Sequence, residues 1–274
     1  MVCVAPVFWR PPIFWKPCFL ESMMRQLRVH FLPGSLAGHD LSQSTCVVID
    51  VLRATTTTVW ALAAGARAVV PCLTIDEARQ RAAAFAAGQA LLGGERGGLP
   101  IAGFDLGNSP AEYTAARVGG KTVVLTTTNG TKALLQCRPA AQVVLGAFVN
   151  LAAVGSVLSD GTHVDVVCAG TNGQITREDA LLAGAIADLA AARDDWRLDD
   201  SAAIARDAWL NVTANVAGGD LKATLIEAMR ASHGGRNLIQ IGLERDIELA
   251  AEVDRFSIVP RFNPASGQIV ADGL

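Results

Sequence analysis

Apolar residues in this chain fall into short blocks, each closed by a small polar turn and followed by a run with helical spacing. Lys121 to Leu135, KTVVLTTTNGTKALL, shows the unit most fully. Val123, Val124 and Leu125 form a β-branched-rich block that suits a buried strand. Asn129-Gly130 favours positive φ and stops it. Thr131 can then cap a helix that starts near Lys132 and carries Ala133, Leu134 and Leu135. Free backbone N–H groups at such a corner suit phosphate or another oxyanion. Thr126, Thr127, Thr128 and Thr131 add hydroxyl donors. Taken alone, the stretch reads equally well as an ordinary strand-to-helix connection.

The unit recurs. Ser44 to Leu52 reads as a strand that ends in Asp50 and Arg53, and Thr55 to Thr58 lead into a helix ending at Gly65. Val164 to Cys168 is a third apolar block, closed by Gly170-Thr171-Asn172-Gly173. A helix with Thr176, Glu178 and Asp179 at its start follows, apolar almost all round to Ala192 and so packed between layers. Gln26 to Leu32 alternates as a first strand, and Ala66 to Pro71 and Ala141 to Leu145 add two more. Thr74 to Ala87 is an amphipathic helix whose Thr74 and Glu77 form a capping box. Leu91 to Gly98 is a strand running out into Gly93-Gly94-Glu95-Arg96-Gly97-Gly98, where glycines let backbone approach a ligand. Ile101 to Tyr113 is a turn-rich loop with Asp105, then Asn108-Ser109-Pro110 as a helix start. Asp194 to Asp207, the most charged segment, reads as a surface elbow. Near the end, His233 stands beside two glycines and Arg236 as a candidate ligand contact. Ligands of open α/β sheets collect at strand carboxyl ends, and an Asp50–Arg53 pair in an apolar run is costly unless paired or used.

Residues 1–23 break the pattern with four prolines, two Trp and three Phe up to Leu20. Arg10, Pro11, Pro12, Lys16 and Pro17 interrupt any signal peptide or membrane helix. The stretch reads as a non-native or poorly ordered extension. Residues 24–274 carry no Pro- or Ser-rich linker and read as one α/β domain, with room for two similar lobes.

Composition agrees: 51% of residues are hydrophobic, 18% charged and 5% aromatic, as in helices packed on a buried parallel sheet. A net charge of −3 gives no reason to expect nucleic acid or an anionic membrane as partner. Cys3, Cys18, Cys46, Cys72, Cys137 and Cys168 form no CxxC pair, so reduced thiols in a cytoplasmic setting are expected. The Ala-rich helices leave room for a homodimer.

CVVIDVLRATTTT, GGERGG, GFDLGNSP, TVVLTTTNGT and CAGTNG, in that order, resemble the 2-phosphosulfolactate phosphatases. The tail SHGGRNLIQIGLERDIELAAEVDRFSIVPRF is similar too, with one glycine more than the expected His-Gly-Arg. The likeness spans Met24 to Phe262. It implies a three-layer α/β/α fold with a largely parallel or mixed sheet. It also implies a Mg²⁺-dependent acid phosphatase acting on phosphate esters of 2-hydroxy acids, in a route to coenzyme M. Asp50, Arg53, Glu95, Arg96, Asp105, Asn108, Asn129, Thr171 and Asn172 fall inside matching motifs and become pocket candidates.

A phosphomonoester must be held, its leaving alkoxide stabilised and a nucleophile aligned. Asp50, Glu95 and Asp105 are therefore expected at Mg²⁺ or in general base work. Arg53 and Arg96 are expected on the phosphate and a second acid group. Thr127, Thr128, Asn129, Gly130, Thr171, Asn172 and Gly173 are expected to supply donors around a small anionic substrate. DxDx[TV], CX5R and GxxxxGK[ST] are absent, which takes support from two common covalent routes and from the NTPase reading. A non-catalytic anion- or nucleotide-binding module is the alternative.

Overall fold

The structure is a computed structural model and describes residues 24–158, 161–193, 195–214, 216 and 220–271. The expected N-terminal extension lies outside the described residues. The strands are β1 (Arg25–His30), β2 (Ser44–Ile49), β3 (Ala68–Cys72), β4 (Ala90–Arg96), β5 (Leu99–Pro100), β6 (Thr122–Thr126), β7 (Gln142–Gly146), β8 (His163–Cys168), β9 (Trp196–Leu198), β10 (Pro260–Asn263) and β11 (Gln268–Ala271). The helices are α1 (Ala54–Ala63), α2 (Ile75–Ala83), α3 (Ala115–Val118), α4 (Gly130–Gln136), α5 (Leu151–Val157), α6 (Arg177–Ala191), α7 (Asp200–Thr213), α8 (Leu221–Arg230), α9 (His233–Gln240) and α10 (Arg245–Ala250).

All described strands join one mixed, mostly parallel sheet, ordered β5-β4-β6-β3-β11-β10-β7-β2-β8-β1-β9. Two parallel runs, β4-β6-β3 and β7-β2-β8-β1-β9, flank an antiparallel β10–β11 hairpin. The hairpin is in ladder register with each run at one position, Arg261 opposite Val144 and Ile269 opposite Val69. Strand alternation sorts the core. Val47 and Ile49 of β2 pack with Val164, Val166 and α6 on one face. Cys46 and Val48 pack on the other with Val143, Leu145 and, from the far run, Val69, Val123 and Leu125.

That shared cluster means the sheet curls around it. β6 and β2 are five strand spacings apart, about 24 Å if flat. Yet a Cβ placed on Gly130, just past β6, would lie 2.6 Å from Asp50 Oδ2, just past β2. Curling therefore brings the carboxyl ends of both runs to one place.

Three expectations need correction. Asp200–Thr213 is a helix, not a surface elbow: Asp199 caps it by accepting from the Ala202 amide at 2.7 Å. Its Ala202, Ala205 and Trp209 are buried on one stripe. Gly184 of α6 permits that packing, since a Cβ there would meet the Ala205 carbonyl oxygen at 2.0 Å. The charges of α7 simply cover its outer side. Helix α4 begins at Gly130, so Asn129 and not Thr131 stands at its cap position. Helix α2 stops at Ala83, short of Ala87. Cys46, Cys72, Cys137 and Cys168 are free and buried. Among the described residues no helix is long and apolar enough to cross a membrane.

Candidate active site

At the carboxyl ends of β2, β4, β6 and β8 lies a cleft of about 390 Å³. Asp50, Arg53, Glu95, Asn108, Thr127, Thr128, Asn129, Thr171 and Asn172 line it. The two Thr-Asn-Gly corners meet there: the Asn172 amide donates to Asn129 Oδ1 at 3.1 Å. Asn172 reaches that position with φ of +52°, between Gly170 and Gly173 at +61° and +77°. Asparagine tolerates this left-handed backbone better than most residues.

Asp50 sits directly before α1. Its Oδ1 accepts from the Ala54 amide at 3.1 Å, while Oδ2 takes no hydrogen bond from the described residues. Burial pushes its carboxyl up to about 7; the Ala54 bond opposes this, and the charges of Glu95 and Glu178 reinforce it. Glu95, by contrast, is fully engaged. Its Oε1 accepts from the Thr128 amide at 2.7 Å and the Thr128 hydroxyl at 2.9 Å, and Oε2 accepts from the Gly98 amide at 2.7 Å. Arg53 is buried, and it donates through Nη1 to Asp246 at 2.6 Å and through Nη2 to the Gly98 carbonyl at 2.7 Å.

Not every expected residue reaches the cleft. Arg96 follows Glu95 on β4, and neighbours on a strand point to opposite faces. Its guanidinium is pinned to Thr126 Oγ1 at 2.8 Å and to the Glu95 and Leu73 carbonyls. Asp105 is exposed and stabilises its own loop by accepting from the Leu92 amide at 2.8 Å. Gly130 and Gly173 are absent from the cleft lining. Gly130 instead makes room for Asp50, as its missing Cβ shows. His233 opens α9, but the helix presents Gly234, Asn237, Leu238 and Gln240 to the cleft, with its C-cap Ile241. Both glycines after His233 have a steric reason. A Cβ on Gly234 would meet Glu178 Oε1 at 2.1 Å, and one on Gly235 would meet the Met229 carbonyl at 1.8 Å.

Sequence reasoning missed the acids behind the wall. Asp179 accepts from the Val51 amide at 2.9 Å and the Gly170 amide at 3.0 Å, tying the ends of β2 and β8 together. Burial, then the charges of Asp50 and Glu178, push its carboxyl well up. Burial also raises Glu178, against donors that include Ser232 and the Gly234 amide. Among the described residues, Glu178 Oε2 and Asn108 Oδ1 are both buried without a hydrogen-bond partner. Position at a helix start was the only signal for Glu178 and Asp179, and it reads equally as capping.

Comparison with known proteins places the chain beside one family. A family model described as 2-phosphosulpholactate phosphatase matches residues 30–264. A probable 2-phosphosulfolactate phosphatase of Pseudothermotoga lettingae is 42% identical over 234 residues, 85% of this chain and 94% of that relative. Proteins of the same description from Deinococcus radiodurans and Caldanaerobacter subterraneus are 40% and 37% identical. Those matches cover 87% and 83% of this chain and 94% and 91% of the relatives.

Proposed function

The chain belongs to the 2-phosphosulfolactate phosphatase family, whose members are phosphoric monoester hydrolases, and we propose that its cleft hydrolyses 2-phosphosulfolactate to sulfolactate and phosphate with the help of Mg²⁺. The observation that carries this reading is the Asn129–Asn172 contact, which joins two oxyanion-receptive corners beside Asp50 and Arg53.

The donor set fits a hard cation. Among the described residues, Asn108 Oδ1 is buried without a hydrogen-bond partner, and the Asp50 carboxylate accepts through Oδ1 alone; both residues line the cleft. Magnesium takes oxygen ligands and binds through one or two carboxylates plus substrate phosphate. Charge argues the same way. Arg53 is the one cation among the described lining residues, facing Asp50 and Glu95. A substrate with phosphate, carboxylate and sulfonate groups needs further positive charge. Asp50 and Asn108 would hold the ion, with Glu95 near; Asp105 lies elsewhere and leaves the expected ligand set. Bound there, the cation would neutralise phosphoryl charge and favour ionisation of a water.

The chain's own groups do the rest. Arg53 grips phosphoryl oxygens with the N–H groups left free by Asp246 and Gly98. Asn129, whose Oδ1 is taken by Asn172, turns its amide N–H₂ toward the anion. The Asp50 carboxylate orients the attacking water with the lone pairs that a cation on Oδ2 would leave free, and draws on its proton. The Asn237 and Gln240 side chains, on the α9 wall, meet the second acid group in place of Arg96. The reading carries with it a reducing, cytoplasmic setting, which the free cysteines support.

Phosphate release from 2-phosphosulfolactate, measured with Mg²⁺ and with EDTA, tests the proposal. EDTA should lower turnover at least about 100-fold and added Mg²⁺ should restore it. No turnover in either condition, with inorganic phosphate still bound, would leave an anion-binding module. Arg96→Ala and Asp105→Ala should each keep KM within about threefold of wild type. A tenfold rise at Arg96 would return that residue to the substrate.

A further inference from the structure

We propose that Asp246 is a positioning residue for anion binding: its carboxylate fixes the Arg53 guanidinium and the Asn108–Ser109 loop in the geometry that grips phosphate. The inference rests on the phosphatase reading of the cleft and goes beyond it, since Asp246 does not itself line the cleft.

Asp246 is the second residue of α10 and is 1% exposed. Its two oxygens are divided between two loops. Oδ2 takes Arg53 Nη1 at 2.6 Å, and Oδ1 takes the Ser109 hydroxyl at 2.5 Å. Arg53 comes from the start of α1, 193 positions away, and Ser109 from the loop after β5. Both loops end at the cleft, because Arg53 and Asn108 line it. Asn108 is held a second time, through its carbonyl, by the Thr57 hydroxyl at 2.8 Å.

A guanidinium has five N–H donors in a rigid fork. Asp246 and the Gly98 carbonyl each take one. The remaining donors then have a fixed direction, set from behind the cleft wall. A pair this buried, with side chains 3% and 2% exposed, gains little net stability once desolvation is counted. Its consequence is geometric. Because the carboxylate cancels the guanidinium charge, the cleft offers oriented donors more than net positive charge, and orientation becomes the quantity that Asp246 controls.

Two conservative variants separate position from charge. Asp246→Asn keeps shape: its carbonyl can face Arg53 and its N–H₂ can donate to Ser109 Oγ, which can accept. Asp246→Glu keeps charge but moves the carboxylate by about 1.5 Å, one carbon–carbon bond. The readout is the affinity of the full-length protein for inorganic phosphate by titration calorimetry, at a temperature where circular dichroism shows each variant folded. Asp246→Asn should bind phosphate within about threefold of wild type, and Asp246→Glu should lose about tenfold or more. In an Arg53→Ala background the Asp246→Glu change should have no further effect.

The reverse order, with Glu tolerated and Asn damaged, would show a charge role and overturn the proposal. So would wild-type affinity in both variants, or losses at Arg53 and Asp246 that multiply. Phosphate affinity is read without turnover. A protein that binds phosphate but releases none from the ester therefore sinks the phosphatase reading alone. A wild-type protein that binds no phosphate overturns both.

Discussion

Asp50→Asn removes phosphate release, by at least about 10³-fold in kcat, and at the same time raises the melting temperature of the metal-free protein at pH 8. The activity loss follows from the Asp50 carboxylate at the cleft wall, whose only hydrogen bond among the described residues goes to Oδ1; an amide there binds cation poorly and takes no proton from water. The stability gain follows from linkage. Burial, with Glu95 and Glu178 nearby, raises Asp50 from the usual 3.8 to about 7. The folded protein thus holds a proton that the unfolded chain has already released. Its contribution to stability is complete below about pH 4, declines as pH climbs from 4 to 7, and stays lost above 7. The penalty is on the order of 1–4 kcal/mol, and the neutral amide does not carry it. Thermal melts in EDTA at pH 4 and pH 8 check this: the variant should gain over wild type at pH 8 and match it at pH 4. Unchanged kinetics would remove Asp50 from the site. A lower melting temperature at pH 8 would remove the charge argument. Such an opposition between activity and stability is expected where a site concentrates like charge.

The parts of the cleft written in contiguous residues were legible. Cys46 to Ile49, Val123 to Leu125 and, with Asp165 as its one polar residue, Val164 to Cys168 are largely apolar runs too short for helices, and each is followed by residues that favour turns. Local chemistry alone therefore located Asp50, Asn129 and Asn172 at strand ends. Adjacent letters also misled. Glu95 and Arg96 read as a paired functional dipeptide, although strand alternation already required one of them to face away. The β10–β11 hairpin carries a usable signal, with Phe262 and Ile269 facing inward around an Asn263–Gly267 turn. Its place between two parallel runs carries none, because a hairpin does not announce which edges it will join. Long-range partners were illegible for the same reason. Nothing near Arg53 points to Asp246, and nothing in α9 marks Asn237 and Gln240 until the helix lies across the cleft. In α7 the density of Asp and Arg hid a buried Ala202-Ala205-Trp209 stripe that small residues signal only weakly.

Glu95→Gln lowers kcat/KM by about 10²-fold, close to the loss for Glu95→Ala, even though Gln is nearly the same shape. The reason is the uniform character of its partners. The Thr128 amide, the Thr128 hydroxyl and the Gly98 amide all donate to the carboxylate. A Gln side chain has one accepting oxygen and one donating nitrogen, so either orientation sets an N–H₂ against a backbone N–H. The hydroxyl can turn and accept, but neither amide can. A donor left facing a donor costs about 1–3 kcal/mol when fully buried and less at these half-buried corners, still enough to displace one of the two loops. If Gly98 moves, Arg53 moves with it, because the Gly98 carbonyl takes Arg53 Nη2 at 2.7 Å. Titration with Mg²⁺ separates this loop-holding role from metal binding. A residue that served only as a ligand would be rescued by excess cation, with kcat/KM returning toward wild type at saturation. Loss that persists at saturating Mg²⁺, with a weaker affinity for inorganic phosphate, is the outcome required if Glu95 acts by holding the Gly98 and Thr128 corners against each other.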